Sequence, residues 1–167
     1  MRRNPRVTDV RYSAGMPDLQ TSATVLIASP FDEDYEALRR IFDAFGERHW
    51  RIRFVRTCQE AWMALHQEKV DVVLAECDFP DGLGWKQLLD EVQGMGGFQP
   101  VIVTSRLADE CLWAEVLNFG AYDLLMKPFD GEETVRVVAM AMRQAQNTRR
   151  AGERRRRLRH AVASAVA

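Results

Sequence analysis

Cysteine is scarce in this chain: Cys58, Cys77 and Cys111 are the three among 167 residues, and they form no Cys-x-x-Cys pair and no Cys/His cluster. That argues against a disulfide framework or a zinc site and suits a reducing cytoplasm, where the protein is expected to reside. Long apolar runs are missing too, none approaching the roughly 18–20 residues that would span a bilayer. The basic start, Met1-Arg2-Arg3-Asn4-Pro5, has no apolar stretch close behind it, so no secretory signal is expected. The three histidines, His49, His66 and His160, are scattered and pair with no visible nucleophile, which leaves them as ordinary surface or interface residues. No cofactor motif stands out. A flavin site is disfavoured because Ser29-Pro30-Phe31 offers no run of Thr, Ser or Gly amides to cradle a phosphate.

What is present is an ordinary globular composition, 47% hydrophobic and 28% charged, in a chain long enough for one domain with a real core. The net charge of −1 conceals a segregation. Residues 1–17 are net +3 and residues 149–167 net +6, which leaves −10 on the body between them. The basic end carries Arg149, Arg150, Arg154, Arg155, Arg156, Arg157 and Arg159 against Glu153. Such an end can meet nucleic acid, an anionic surface or an acidic partner, or serve only as a solubilising tail.

Residues 1–22, with Pro5, Gly15 and Pro17 and no apolar period, read as a flexible basic arm. From residue 23 short apolar runs alternate with helical patterns. Val25–Ala28 reads as a buried strand, and residues 32–45 as a helix with Tyr35, Leu38, Ile41, Phe42 and Phe45 at spacings of three and four, stopped by Gly46. Ile52 and Phe54 alternate with Arg51 and Arg53, the period of a half-covered strand. Thr57-x-x-Glu60 has the spacing of a capping box. Residues 71–75, 101–104 and 122–126 read as further strands, with helices near 84–93, 109–119 and from 131 to at least 145. Five β-α units predict a parallel, doubly wound sheet of flavodoxin-like order 2-1-3-4-5 with helices on both faces. The expected domain is 23–147, followed by an Arg-rich tail or helix extension over 148–167, where Leu158, Val162 and Val166 could form a thin apolar seam.

In such sheets a ligand sits beyond the carboxyl ends of the strands. Those ends carry Ser29 to Asp32, Glu76 to Asp78, Thr104 and Ser105, and Lys127 and Pro128. A lysine, a hydroxyl and a carboxylate converging there suit a phosphoryl group or a divalent cation; a structural Lys–Glu pair at the sheet edge is the plainer alternative.

Three stretches sharpen this: Asp71-Val72-Val73-Leu74-Ala75-Glu76-Cys77-Asp78-Phe79-Pro80-Asp81-Gly82, Val101-Ile102-Val103-Thr104-Ser105, and Gly120-Ala121-Tyr122-Asp123-Leu124-Leu125-Met126-Lys127-Pro128-Phe129. Over residues 23–145 the chain resembles the receiver domain of two-component response regulators. The resemblance implies transfer of a phosphoryl group from a histidine kinase to an aspartate, with Mg²⁺ held by an acidic pair after the first strand. It also implies that Thr104 and Lys127 hold phosphoryl oxygens. Glu76, however, stands at the phosphoacceptor position, Ser29 and Pro30 stand where the acidic pair belongs, and Leu124 replaces the aromatic switch residue. Mg²⁺ wants carboxylate oxygens, and the extra methylene of glutamate displaces the nucleophile by roughly an ångström, a misplacement that can cost about 10²-fold. Asp32 could swing inward to rebuild a cation site, but the preferred reading is that Asp32, Glu33 and Asp34 all crowd a helix N-terminus.

The expectation is therefore a pseudo-receiver: no enzyme, no bound metal or other cofactor, signalling without phosphorylation. Its Glu76 is expected to pair with Lys127, and the pair either holds a permanently switched-on surface or merely fills a disused pocket. Partners are a protein or a second copy, met through the face of helix 4, strand 5 and helix 5, with Trp113 and Tyr122 as candidate contacts. Two alternatives remain: nucleic-acid binding by the arginine tail, and residual phosphoacceptor chemistry. No helix-turn-helix unit or zinc ligand set accompanies the tail.

Overall fold

The computed structural model describes residues 22–45 and 49–165, with side chains through His160. The expected N-terminal arm (Ser22 apart), the Gly46 helix stop and the Val162 and Val166 side chains lie outside the described residues. Ten elements alternate: β1 (Ala23–Ala28), α1 (Asp32–Ala44), β2 (Trp50–Val55), α2 (Cys58–Gln67), β3 (Val72–Glu76), α3 (Trp85–Gly94), β4 (Val101–Ser105), α4 (Glu110–Asn118), β5 (Asp123–Met126) and α5 (Gly131–Ala165). The five strands are parallel in the order β2-β1-β3-β4-β5, as the alternating pattern predicts.

Period-two alternation sorts each strand's side chains onto two cores. Leu26, Ala28, Val73, Ala75, Val101 and Val103 face a cluster closed by α2, α3 and α4. Val25, Ile27, Val72, Leu74 and Ile102 face the other, closed by Leu38 and Phe42 of α1 and Val138, Ala141 and Met142 of α5. Because β1, β3 and β4 are buried on both faces, they read as unbroken apolar runs. β2 is one edge of the sheet and β5 the other; on β2, Arg51 and Arg53 turn to solvent.

The helix starts follow local chemistry. The Thr57 hydroxyl accepts from the Glu60 N–H at 3.1 Å, and Asp109 does the same for the Leu112 N–H at 2.7 Å. The Glu60 carboxylate closes on the Arg56 N–H rather than that of Thr57, so the box is shifted by one residue. Gly120, at φ +92°, takes the left-handed turn between α4 and β5. α5 runs 35 residues without a break at Gly152, so the arginine-rich segment is a helix extension.

Candidate functional site

The carboxyl ends of the strands bring together Ser29 after β1, Glu76 at the end of β3, Thr104 in β4 and Lys127 after β5. Glu76 and Thr104 are register partners on adjacent strands. The Lys127 N–H donates to the Ser105 carbonyl at 2.9 Å, which fixes where the side chain departs. All four residues are buried.

The Lys127 ammonium lies between two carboxylates. It donates to Glu76 Oε2, and to Asp34 Oδ2 at 2.5 Å. The second oxygen of Glu76, Oε1, accepts from the Cys77 N–H at 2.9 Å. Asp34 Oδ2 also accepts from the Ser29 hydroxyl at 2.5 Å, and that hydroxyl accepts in turn from the Phe31 N–H at 3.2 Å. The cluster holds one cation and two anions, so it carries a net charge of −1 inside the protein. The rings of Phe31 and Phe129 lie 5.1 and 5.8 Å from the ammonium and close it from above. Arg106 stacks 5.6 Å over Phe31 and pairs with Glu33, adding an outer layer. A cleft of about 360 Å³ opens beside these groups, lined by Glu33, Asp34, Ala37, Arg106, Lys127, Pro128 and Phe129.

The Thr104 hydroxyl donates to the Ala75 carbonyl at 3.4 Å, a bond within the sheet. The three acids after β1 form the first turn of α1, as expected, but they differ in where they point. Asp32 pairs outward with Arg56 and Glu33 with Arg106, whereas Asp34 turns inward and is buried. The sequence carried a signal for this. Asp34, Leu38 and Phe42 recur every four residues, so Asp34 extends the buried stripe of α1 by one turn.

The donor set does not fit Mg²⁺. Pro30 has no donor side chain, the Ser29 hydroxyl is committed to Asp34, and one oxygen of each carboxylate is taken by Lys127. A divalent ion would have to displace the ammonium that already bridges the two carboxylates. Among the described residues no three His, Cys, Asp or Glu side chains are grouped as metal ligands.

Nearby, burial raises the Cys77 thiol above its ordinary value, with the charges of Glu76 and Asp78 adding to this and the Ser105 and Lys127 side chains opposing it. Leu124, the residue expected at the switch position, is partly covered by the core under α4. Tyr122 packs against the α1/α5 core, whereas Trp113 is half exposed on α4.

The family model for the response regulator receiver domain matches residues 25–139. The chain belongs to the response regulator receiver family. Two curated relatives are each 30% identical. The "Probable transcriptional regulatory protein y4xI" of Sinorhizobium fredii aligns over 69% of this chain and 51% of its own length. The "Two-component response regulator-like APRR1" of Arabidopsis thaliana aligns over 61% of this chain and 17% of its own. The chain thus spans about half of one relative and a sixth of the other. Among solved structures, the receiver domain of the Francisella response regulator 1452 superposes with a TM-score of 0.61 at 25% identity, covering 73% of this chain and 98% of that one. The receiver domain of a sensor histidine kinase from Pseudomonas aeruginosa, whose structure has a magnesium ion in its active-site cleft, gives 0.63 at 18% identity, covering 73% and 98%. Receiver domains are signalling modules of two-component systems. This receiver has the fold of its relatives, and no helix among its described residues is long and apolar enough to cross a membrane.

Proposed function

We propose that this receiver signals without phosphotransfer, as a protein-interaction module of the cytoplasm whose conformation is held by the Asp34–Lys127–Glu76 cluster. One observation carries the reading: the ammonium that the family resemblance assigns to phosphoryl oxygens is taken up by two buried carboxylates of the chain itself. Glu76 fills the phosphoacceptor position one methylene too long, and Ser29 and Pro30 supply no carboxylate for the metal. A phosphoryl group arriving here would meet a site of net −1 charge and would have to break both of Lys127's ion pairs.

The output surface in this reading is the face of α4, β5 and α5, with Trp113 and Met126 exposed on it. Because β5 leads directly into Lys127, locking the lysine also fixes the end of the strand that this face is built on. Incubation with a small-molecule phosphodonor and Mg²⁺, followed by intact-mass measurement, tests the proposal. The mass is expected to stay unchanged. A stable gain of one phosphate that disappears in Glu76→Gln would establish residual phosphoacceptor chemistry and overturn it.

A second reading is favoured by the arginines of α5, which project from the domain into solvent. They could contact phosphates of nucleic acid without sequence preference and with steep salt dependence. A mobility-shift titration at two salt concentrations, comparing the chain with Arg154→Gln/Arg157→Gln, decides it. Binding that is unchanged by the substitutions, or no binding at all, removes this reading.

A further inference from the structure

The chain carries two exposed surfaces of opposite charge that do not meet. The first is a groove between α4, β5 and the start of α5. Its floor is apolar, with Trp113 and Met126 50% and 57% exposed. Its walls carry Asp109, Glu110, Asp123, Asp130 and Glu133. Among the described residues none of these five carboxylates has an ion-pair partner; three of them only accept backbone N–H groups. The second surface is the far part of α5, where Arg150 to Arg159 are exposed, again without an ion pair among the described residues.

One helix joins the two surfaces and holds them apart. Glu133 belongs to the groove, and Arg154 to Arg159 follow 21 to 26 residues later on the same unbroken α5. At ~1.5 Å per residue the arginines lie about 30–40 Å from the groove of their own chain, beyond the reach of an arginine side chain. Glu133, Met140, Asn147 and Arg154 recur every seven residues on one exposed stripe of α5, which also carries Arg136, Arg143 and Arg150 one turn on from the first three; its acid lies only at the start and its arginines are densest at the far end. Two such helices laid antiparallel place each basic end on the other's acidic beginning.

We propose that the occupant of the groove is the arginine-rich end of α5 from a second copy of this chain, in a closed, two-fold antiparallel pair. The contact is isologous: each copy gives its basic helix and receives its partner's, so the assembly stops at two. Arg154 and Arg157, one turn apart, face the carboxylates, and the indole of Trp113 offers a flat surface on which a guanidinium stacks. The proposal rests on the reading of the α4–β5–α5 face as the output face. The phosphodonor mass measurement tests phosphorylation independence separately, because pairing requires no phosphate and can fail while that claim holds.

The test is sedimentation velocity on nuclease-treated full chain at about 50 and about 500 mM NaCl, concentrations between which exposed charges become screened. A dimer that weakens at the higher salt is expected. Arg154→Glu/Arg157→Glu and Glu110→Arg/Glu133→Arg are each expected to raise the dissociation constant at least ~10-fold, since like charges then face each other. Mixing the two variants is expected to restore a dimer, because the acidic helix of one meets the basic groove of the other. All four positions are exposed, and an unchanged circular dichroism spectrum checks that each variant folds. A wild-type monomer at ~100 μM, a dimer indifferent to either reversal, or a mixture that stays monomeric overturns the proposal. So does a dimer lost on nuclease treatment, which would make nucleic acid the occupant of the arginines.

Discussion

Removing the ammonium from the buried cluster leaves two buried carboxylates without the cation they share. In Lys127→Met the side chain keeps its approximate length and its contacts with Phe31 and Phe129 but no longer carries a charge. Asp34 and Glu76, which both bonded the same nitrogen, then face each other as unpaired anions. Two unit charges on the order of 4 Å apart interact by about 4 kcal/mol at an effective dielectric constant of about 20. Breaking a buried ion pair by deleting one partner costs about 3–5 kcal/mol, which agrees in size. For a domain of this length, that loss lowers the melting temperature by about 6–20 °C. Urea unfolding followed by tryptophan fluorescence measures it directly. The triple variant Lys127→Met/Asp34→Asn/Glu76→Gln carries no charge at the site and should recover at least about half of the loss, because neutral replacements of a buried ionic network are often nearly neutral in stability. A loss below about 1 kcal/mol in Lys127→Met, the level of exposed pairs, would refute the claim that these charges are buried and mutually compensating.

Three further outcomes follow from other parts of the chain. Thr57→Ala removes the cap of α2 and is expected to cost about 1 kcal/mol in the same urea assay; an unchanged midpoint would count against that cap. Burial first, and then the charges of Asp81 and Glu91, push the Cys58 thiol up to about 12 from an ordinary 9.0. The folded state therefore keeps a proton that the unfolded state loses, so stability is intact below pH 9 and declines between pH 9 and about 12, by at most ~1.4 kcal/mol per pH unit from this group. In Cys58→Ala that contribution to the alkaline decline should vanish, and an identical pH slope in both proteins would contradict it. Finally, iodoacetamide near neutral pH should modify the exposed Cys111 first, the half-buried Cys77 slowly and Cys58 only on unfolding; mass spectrometry of timed digests checks the order.

Most of the fold was legible because its strands are buried on both sides, and such strands announce themselves as continuous apolar runs: Val25–Ala28, Val72–Ala75 and Val101–Val103 each fall where β1, β3 and β4 lie. Helix ends were readable where a side chain caps them, as at Thr57, and less so where the chain simply continues. Composition gave no stop for α5: Gly152 weakens a helix by roughly 1 kcal/mol, which a long run of arginines and alanines outweighs. The site was half legible. Motif spacing located Lys127, Glu76 and Thr104 at the strand ends, and a Lys127–Glu76 pair was anticipated with its role left open. Asp34 escaped because acids in a first helical turn are explained so readily by the helix dipole. Only its place on the Leu38–Phe42 stripe distinguishes it from Asp32 and Glu33. Thr104 was placed in the right strand, but a hydroxyl can satisfy itself on a neighbouring carbonyl, here that of Ala75, and spacing does not reveal which acceptor it finds.

Beryllofluoride is a stable mimic of a phosphoryl group, and its binding needs both a free lysine and a cation at the rim. A ¹⁹F NMR titration of the full chain with beryllofluoride and Mg²⁺ therefore asks directly whether Lys127 is available. Only the resonances of free fluoroberyllates are expected, at every protein concentration. A protein-bound ¹⁹F signal that grows with Mg²⁺ and disappears in Lys127→Met would contradict the account.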